Sequence, residues 1–412
     1  MLAAYLRHVF IVTAGLLAIA LTIDLWPQLQ KVEASVTSAV PLATLWAVLR
    51  FSGLRAPDLI IPFVPFATFL GVLWTEIVLT QSRERMLVWN SARSPLQCLP
   101  PVVALGLLLG VADFTLDAYV RPAAMAVQMR ERLGTRGELF DRTRTEDSRW
   151  IALDRGRRGL VRARIVYGPP VALRDLTIYR LDGGGRLLEA DTAVLATPGG
   201  DNRWVLHDGR FWIPKAGSSA DEGATFGTSG SDADMQTYFE RRTVSLNLNR
   251  LWLSNRGIYP QYLPLGVLRA LAGTRGGTFV REGYRTRLQV KYSELLLPGL
   301  MALLASCLSM LFFVYSVSAP AIVGTLLAGY LAHFGTKATL LMGENNYLNP
   351  YVAGWLVPVA LAFAVWEILR FIDATRHPME EADDAAAPED IEDASLRWTR
   401  DASELELGRE EV

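Results

Sequence analysis

Four ionisable side chains, Asp24, Asp113, Asp117 and Lys337, stand inside otherwise apolar stretches of this 412-residue chain. A charge in hydrocarbon is costly, so such residues face a partner or a water-filled space rather than lipid. Two chemistries fit. The carboxylates and the amine could line a polar vestibule, or they could form a structural Asp–Lys pair near the interface. A third class, an intramembrane lipid-modifying enzyme, would use Asp113 or Asp117 as acid or base. Glu76 and Glu367 also lie in apolar stretches, nearer the opposite ends, where their side chains are expected to reach the interface by extension alone.

The elements that position these residues follow from hydropathy. Leu295 to Thr336 contains no Asp, Glu, Lys or Arg, and Ser318-Ala319-Pro320 supplies a turn near its middle. About 20 apolar residues cross a bilayer once, so this run predicts two spans. Four more bring the total to six: Leu6–Trp26, Leu59–Leu79 and Leu99–Val120, then Leu295–Tyr315, Ala321–Leu341 and Tyr351–Ile372. The expected fold class is therefore a polytopic α-helical membrane protein, three helices plus three, around an insert. Basic residues set the orientation. With the N-terminus inside, Arg7, Arg83, Arg85, Arg93, Arg370 and Arg376 are cytoplasmic, against Lys31, Arg50 and Arg55 outside. That bias places both termini in the cytoplasm and the insert outside. Asp24, Asp113, Asp117 and Lys337 then share one depth, near the outer surface.

The insert, about 122–292, reads as β-rich: short runs at Trp150–Leu153, Leu160–Tyr167, Leu173–Leu181, Leu187–Leu195, Arg203–Leu206 and Arg210–Ile213. Asp182-Gly183-Gly184-Gly185 and His207-Asp208-Gly209 are read as turns. This spacing predicts a sandwich or jelly roll. Gly217–Asp234 is expected to be a loop and Leu263–Ala272 a helix. The chain divides into 1–121 with a cytoplasmic loop at 81–98, the insert 122–292, a second helical triplet 293–376, and an acidic cytoplasmic tail 377–412.

Several function classes are excluded by what the sequence lacks. Charged residues are 20% of the chain but the formal net charge is −1, which does not suit a nucleic-acid binder. Two Cys and four His offer neither a disulfide framework nor a zinc site. No Walker A stretch ends in the Lys-Ser/Thr that grips phosphate; Gly273-Thr274-Arg275-Gly276-Gly277 lacks it. The chain is read as no enzyme and as binding no cofactor. Any energised work draws on a partner. Within the loop 81–98, Met86, Trp89 and Arg93 share a helical face beside Arg83, Glu84 and Arg85. An amphipathic segment of this kind lies on the membrane or docks into a partner, and spacing does not choose between them.

The order of motifs resembles the LptF/LptG (YjgP/YjgQ) permease family, which exports lipopolysaccharide. Glu84 takes the acidic place of that family's S-E-L-x-x-x-R-A-x-G-x-S loop and Ser94-Pro95 its end, while Arg85, Trp89 and Ala92 depart from the pattern. Gly343-Glu344, Asn349-Pro350 and Trp355-Leu356-Val357-Pro358 resemble the approach to the last helix. Pro298 matches the entry to helix four, although Glu294 replaces a common basic residue. Trp204-Val205-Leu206 resembles the W-x-L strand of the outer domain. Ile23-Asp24-Leu25 followed by Lys31 is closer to the G-type first helix than to the F-type. The resemblance covers Met1 to Arg376.

The resemblance implies one half of a permease heterodimer in the bacterial inner membrane, driven by two copies of a cytoplasmic ABC ATPase that uses ATP. Glu84, Arg83, Arg85, Met86 and Trp89 would form the ATPase-coupling helix. Lipopolysaccharide would leave through the outer domain onto a bridge of periplasmic β-jelly-roll proteins. Lys31 would hold lipid phosphates, with Asp24 on the same helix and with Arg50, Arg55 and Lys337 as further candidates, although interfacial anchoring explains those cations equally well. Lipoprotein-release permeases, with one helix before the outer domain, fit less well. From another class, a membrane sensor or scaffold with an outer β-domain remains possible, and it would not co-purify with a nucleotide-binding subunit.

Overall fold

The computed structural model describes residues 1–28, 41–84, 97, 99–135, 148–153, 159–167, 170–181, 187–200, 203–213, 237–246, 248–274, 281–313 and 317–374. Lys31, most of the loop 81–98, the Gly217–Asp234 loop, the Asp182–Gly185 turn and the acidic tail lie outside these residues.

The first triplet contains more helix than its apolar runs suggest. α1 (Leu2–Leu25) is followed by α2 (Pro41–Ile60), a 3-10 turn at Ile61–Phe63, and α3 (Val64–Gln81). Pro62 and Pro65 open their respective helical turns, where a missing N–H is tolerated, so the chain bends without breaking. α4 (Pro100–Thr115) passes through a single π-helical stretch, Leu116–Val120, into α5 (Arg121–Arg130). After the sheet come α6 (Arg250–Ser254), α7 (Leu265–Gly273), α8 (Glu282–Ser293), α9 (Leu297–Phe312), α10 (Ala319–Glu344) and α11 (Pro350–Ala374).

Among the described residues, Leu2–Gln28, Thr44–Gln81, Pro100–Arg130 and Pro350–Ala374 are long and apolar enough to cross a membrane, and α8 and α9 together make a fifth span bent by 51°. α10 has the length, 26 residues, but carries His333 and Lys337 and is less apolar. It packs between α8, α9 and α11. α9 is the hub. It touches α3, α4 and α11, and Met301, Ala302, Ala305 and Leu308 join Tyr5, Phe69, Leu105 and Leu361 in one core. Its approach to α4 is close enough to require glycine: a Cβ on Gly106 would sit 2.5 Å from the Gly299 Cα. Small residues at such contacts let membrane helices meet backbone to backbone. Glu76 does not reach an interface as expected. It is 2% exposed, because α1 and α9 close over it, and it accepts hydrogen bonds from the Tyr5 hydroxyl (2.9 Å) and the Ser306 hydroxyl (2.8 Å).

The insert is β-rich only in its middle. β1 (Arg149–Ala152), β2 (Gly159–Val166), β3 (Ala172–Leu181), β4 (Leu187–Gly200), β5 (Arg203–Trp212) and β6 (Thr237–Ser245) form one antiparallel sheet in sequential order. Among the described residues that is a meander, a single antiparallel sheet and not a closed barrel. Period-two alternation puts Val161, Leu176, Ile178, Trp204, Leu206 and Val244 on one buried face. The expected turn at His207-Asp208-Gly209 is instead the interior of β5. Asp208 (φ 51°) and Asp175 of β3 (φ 52°) adopt the left-handed conformation that Asp tolerates. Both face the same stretch of β4, between Ala193 and Leu195. The irregularity crosses adjacent strands and creases the sheet. A Cβ on Gly209 would lie 2.1 Å from the Thr192 carbonyl oxygen and 2.4 Å from the Phe239 ring. Gly209→Val is therefore expected to cost the sheet about 2 kcal/mol, within the usual range for overpacking. Thermal unfolding of the full chain, monitored with limited proteolysis of residues 149–245, checks this.

Candidate functional site

α2 delivers two side chains one turn apart, Arg55 and Asp58, toward the end of α1 and the π-helical stretch. Arg55 makes a two-pronged pair with Asp24, Nε–Oδ2 2.8 Å and Nη2–Oδ1 2.7 Å, and reaches Asp58 Oδ2 at 2.7 Å through Nη1. Arg121, the first residue of α5, binds Asp58 Oδ1 through Nε (2.9 Å) and Nη2 (2.7 Å), and Asp117 Oδ1 through Nη1 (2.8 Å). Lys291 of α8 closes the series. Its Nζ donates to the Asp117 carbonyl at 2.7 Å and to the Asp117 carboxylate. The order is Asp24–Arg55–Asp58–Arg121–Asp117–Lys291, alternating in sign and neutral in sum. The Tyr262 hydroxyl donates to Asp58 Oδ2 at 3.1 Å, and its ring lies 5.3 Å under the Arg121 guanidinium.

Burial makes this series matter. Arg55 is 2% exposed and Lys291 1%. Each ion removed from water loses several kcal/mol of hydration, which only close, fully hydrogen-bonded partners offset. Planar guanidinium forks supply that geometry bidentately. The π-helical stretch has a role here, since it lies between Asp113 and Arg121 and carries Asp117 into reach of both cations. The carboxylate of Asp117 is saturated by Arg121 and Lys291, which removes it as a catalytic base.

Beside the series lies a cavity of about 250 Å³ between the bend of α8–α9, α10, α11 and the turn at Ile61–Pro62. Asp113, Glu294, Lys337 and His333 line it, as do Arg121 and Arg287. Arg287 is held by Glu344 and by Gln261 Oε1 at 2.9 Å. Asp113 is 1% exposed, and neither of its carboxylate oxygens has a hydrogen-bond partner among the described residues. A second cavity of similar volume, apolar, lies between α4, α9 and α11.

The structure gathers Asp24, Arg55, Asp117 and, through the adjoining cavity, Asp113 and Lys337. Arg55 is enclosed between two carboxylates. Arg50 stands apart, 2.8 Å from Glu131 with its side chain 49% exposed. Arg83 (φ 60°) and Glu84 are exposed just beyond the end of α3. Arg85, Met86, Trp89 and Lys31 lie outside the described residues. Sequence reasoning did not single out Asp58, Arg121, Lys291 or Glu294. The i,i+3 pair Arg55–Asp58 and the i,i+4 pair Asp117–Arg121 carry a local signal. Lys291, 174 residues from Asp117, carries none.

Six-residue ion series of this kind hold helices together; they show no nucleophile or metal cluster, and the described residues contain no group of three potential metal-ligating side chains. The protein's class is decided by its whole length. The family model of the lipopolysaccharide export system permease LptF/LptG matches residues 1–370. This chain belongs to the LptF/LptG family. No curated protein matches it. An LptF/LptG chain is a lipopolysaccharide export permease, a multi-pass protein of the inner membrane, and the apolar helices and the antiparallel sheet fit that membership. The family match stops at residue 370, just before the acidic tail.

Removing the shared carboxylate tests the ion series. Asp58→Ala strands Arg55 and Arg121 together and is expected to cost about 3–5 kcal/mol, the usual penalty for breaking a buried pair. Arg50→Ala, at an exposed pair, is expected to cost under about 1 kcal/mol. Denaturation midpoints of the full chain in detergent distinguish the two.

Proposed function

We propose that this chain is one of two paralogous permease subunits, nearer the G-type, that extract lipopolysaccharide and pass it outward. The family match over residues 1–370 carries the permease reading, and the G-type preference rests on Ile23-Asp24-Leu25 followed by Lys31. The lack of a Walker A stretch anywhere in the sequence adds that the energy comes from elsewhere, and a cytoplasmic ABC ATPase dimer supplies it. The N- and C-termini are cytoplasmic, and the sheet β1–β6 stands in the periplasm, where edge-to-edge strand addition hands lipid to bridge proteins.

The loop after α3, beginning at Arg83 and Glu84, is the coupling element. The exposure of Arg83 and Glu84 at the end of a spanning helix suits docking into another protein. Closure of the ATPase on ATP would push α3, which packs against α1 and α9, and so act on the whole core. The outer ends of the helices receive the anionic head group. Lys31 is the cation proposed for it, together with Arg50, which is half exposed; Arg55 and Asp24 instead fix the helix ends. Lys337 belongs to the internal cavity.

Purification of the full chain from native membranes tests this directly: a paralogous permease and a nucleotide-binding subunit are expected in stoichiometric amounts, and their absence contradicts it. Glu84→Ala is expected to lower lipopolysaccharide-stimulated ATP hydrolysis in reconstituted vesicles at least tenfold without changing the melting temperature. Wild-type transport by that variant would remove the coupling role. Lys31→Glu is expected to reduce photocrosslinking of lipid to the first helix; unchanged crosslinking would reduce Lys31 to an anchor.

A further inference from the structure

The cavity beside the ion series contains an unmatched charge. Three ionisable groups that line it, Asp113, Glu294 and Lys337, form no ion pair among the described residues. Every other charge nearby is matched: Arg121 by Asp58 and Asp117, Lys291 by Asp117, Arg287 by Glu344. His333 packs on the rings of Phe63 and Phe66, at 6.5 and 5.4 Å between centroids, and a histidine of ordinary basicity is neutral at pH 7. Two carboxylates against one ammonium leave one negative charge over. Asp113 is the more enclosed of the two acids. Among the described residues both its oxygens are buried without a partner, whereas only Oε2 of Glu294 is. An isolated ionised carboxylate in such a place is far more costly than a neutral one.

We propose that this cavity is a proton-binding site and that Asp113 carries the proton, leaving Glu294 and Lys337 to balance each other. The proton comes from bulk water through the cavity: an O–H bond forms on Asp113, and hydronium is left as water. The charged groups that face Asp113 are Asp117 of the π-helical stretch, Arg121 of α5, Glu294 at the α8–α9 bend and Lys337 of α10. Arg287 of α8 lies on the same cavity wall. The site adjoins the 51° bend of the broken span. Opening that bend to water would release the proton and closing it would take one up, so a cycle of the helices carries one exchangeable proton. This assignment does not depend on the lipid that the chain exports.

Infrared difference spectroscopy on the full chain in lipid nanodiscs reads the site directly. A protonated-carboxyl C=O stretch is expected at neutral pH, absent in Asp113→Asn, retained but shifted in Asp113→Glu, and unchanged in Glu367→Gln, which lies outside the cavity. Lys337→Met removes the ammonium that balances Glu294 and is expected to double the band, from one protonated carboxyl to two. Asp113→Asn mimics the neutral acid and is expected to melt no lower than the wild type. A wild-type spectrum at neutral pH with no band that Asp113→Asn removes would overturn the proposal. So would stabilisation by Na⁺ over choline at equal ionic strength that is lost in Asp113→Asn, since an alkali ion would then hold the place given to the proton.

Discussion

Removal from water of three carboxylates and three cations is the constraint around which one end of the helical bundle is arranged. Each of the four inner ions is tolerable only because its neighbours sit at hydrogen-bonding distance on both sides, and the end members Asp24 and Lys291 each pair with one. Asp58 is the keystone, since it binds two guanidiniums and one phenol. The series joins α1, α2, the π-helical stretch, α5 and α8, elements drawn from both helical triplets. Apolar packing alone would not register these helices in lipid, where hydrocarbon contacts are available on every side. The ion pairs specify which helix faces which.

Below this layer the core is held by different means. α9 fills the centre through small residues and glycine contacts, and Glu76 is satisfied by hydroxyls from α1 and α9. The apolar core and the ion-tied layer meet at the α8–α9 bend, where the polar cavity lies.

Much of this was legible in the sequence, for identifiable reasons. The long apolar runs marked α1, α3, α4, α9 and α11, because hydrocarbon demands continuous hydrophobicity. α2 was passed over because Arg50, Arg55 and Asp58 interrupt its apolar pattern, and those interruptions are part of the site. Strand positions followed from period-two alternation. The Asp208-Gly209 pair misled because a left-handed Asp followed by Gly creases a strand with the same residues that turn a hairpin. Asp24, Asp117 and Lys337 could be flagged by the cost of charge in lipid, but their partners could not all be found that way. Asp58 and Arg121 are local in sequence; Lys291 and Glu294 are brought in only by the closure of the second triplet on the first.

The ion series behaves as one unit across both triplets. Hydrogen exchange of the full chain in nanodiscs, wild type against Asp58→Asn, tests it most directly. The account predicts loss of amide protection in residues 41–60 and also in 282–293, at the far end of the series from the altered α2. Loss confined to residues 41–60, with α8 as protected as in the wild type, would contradict it.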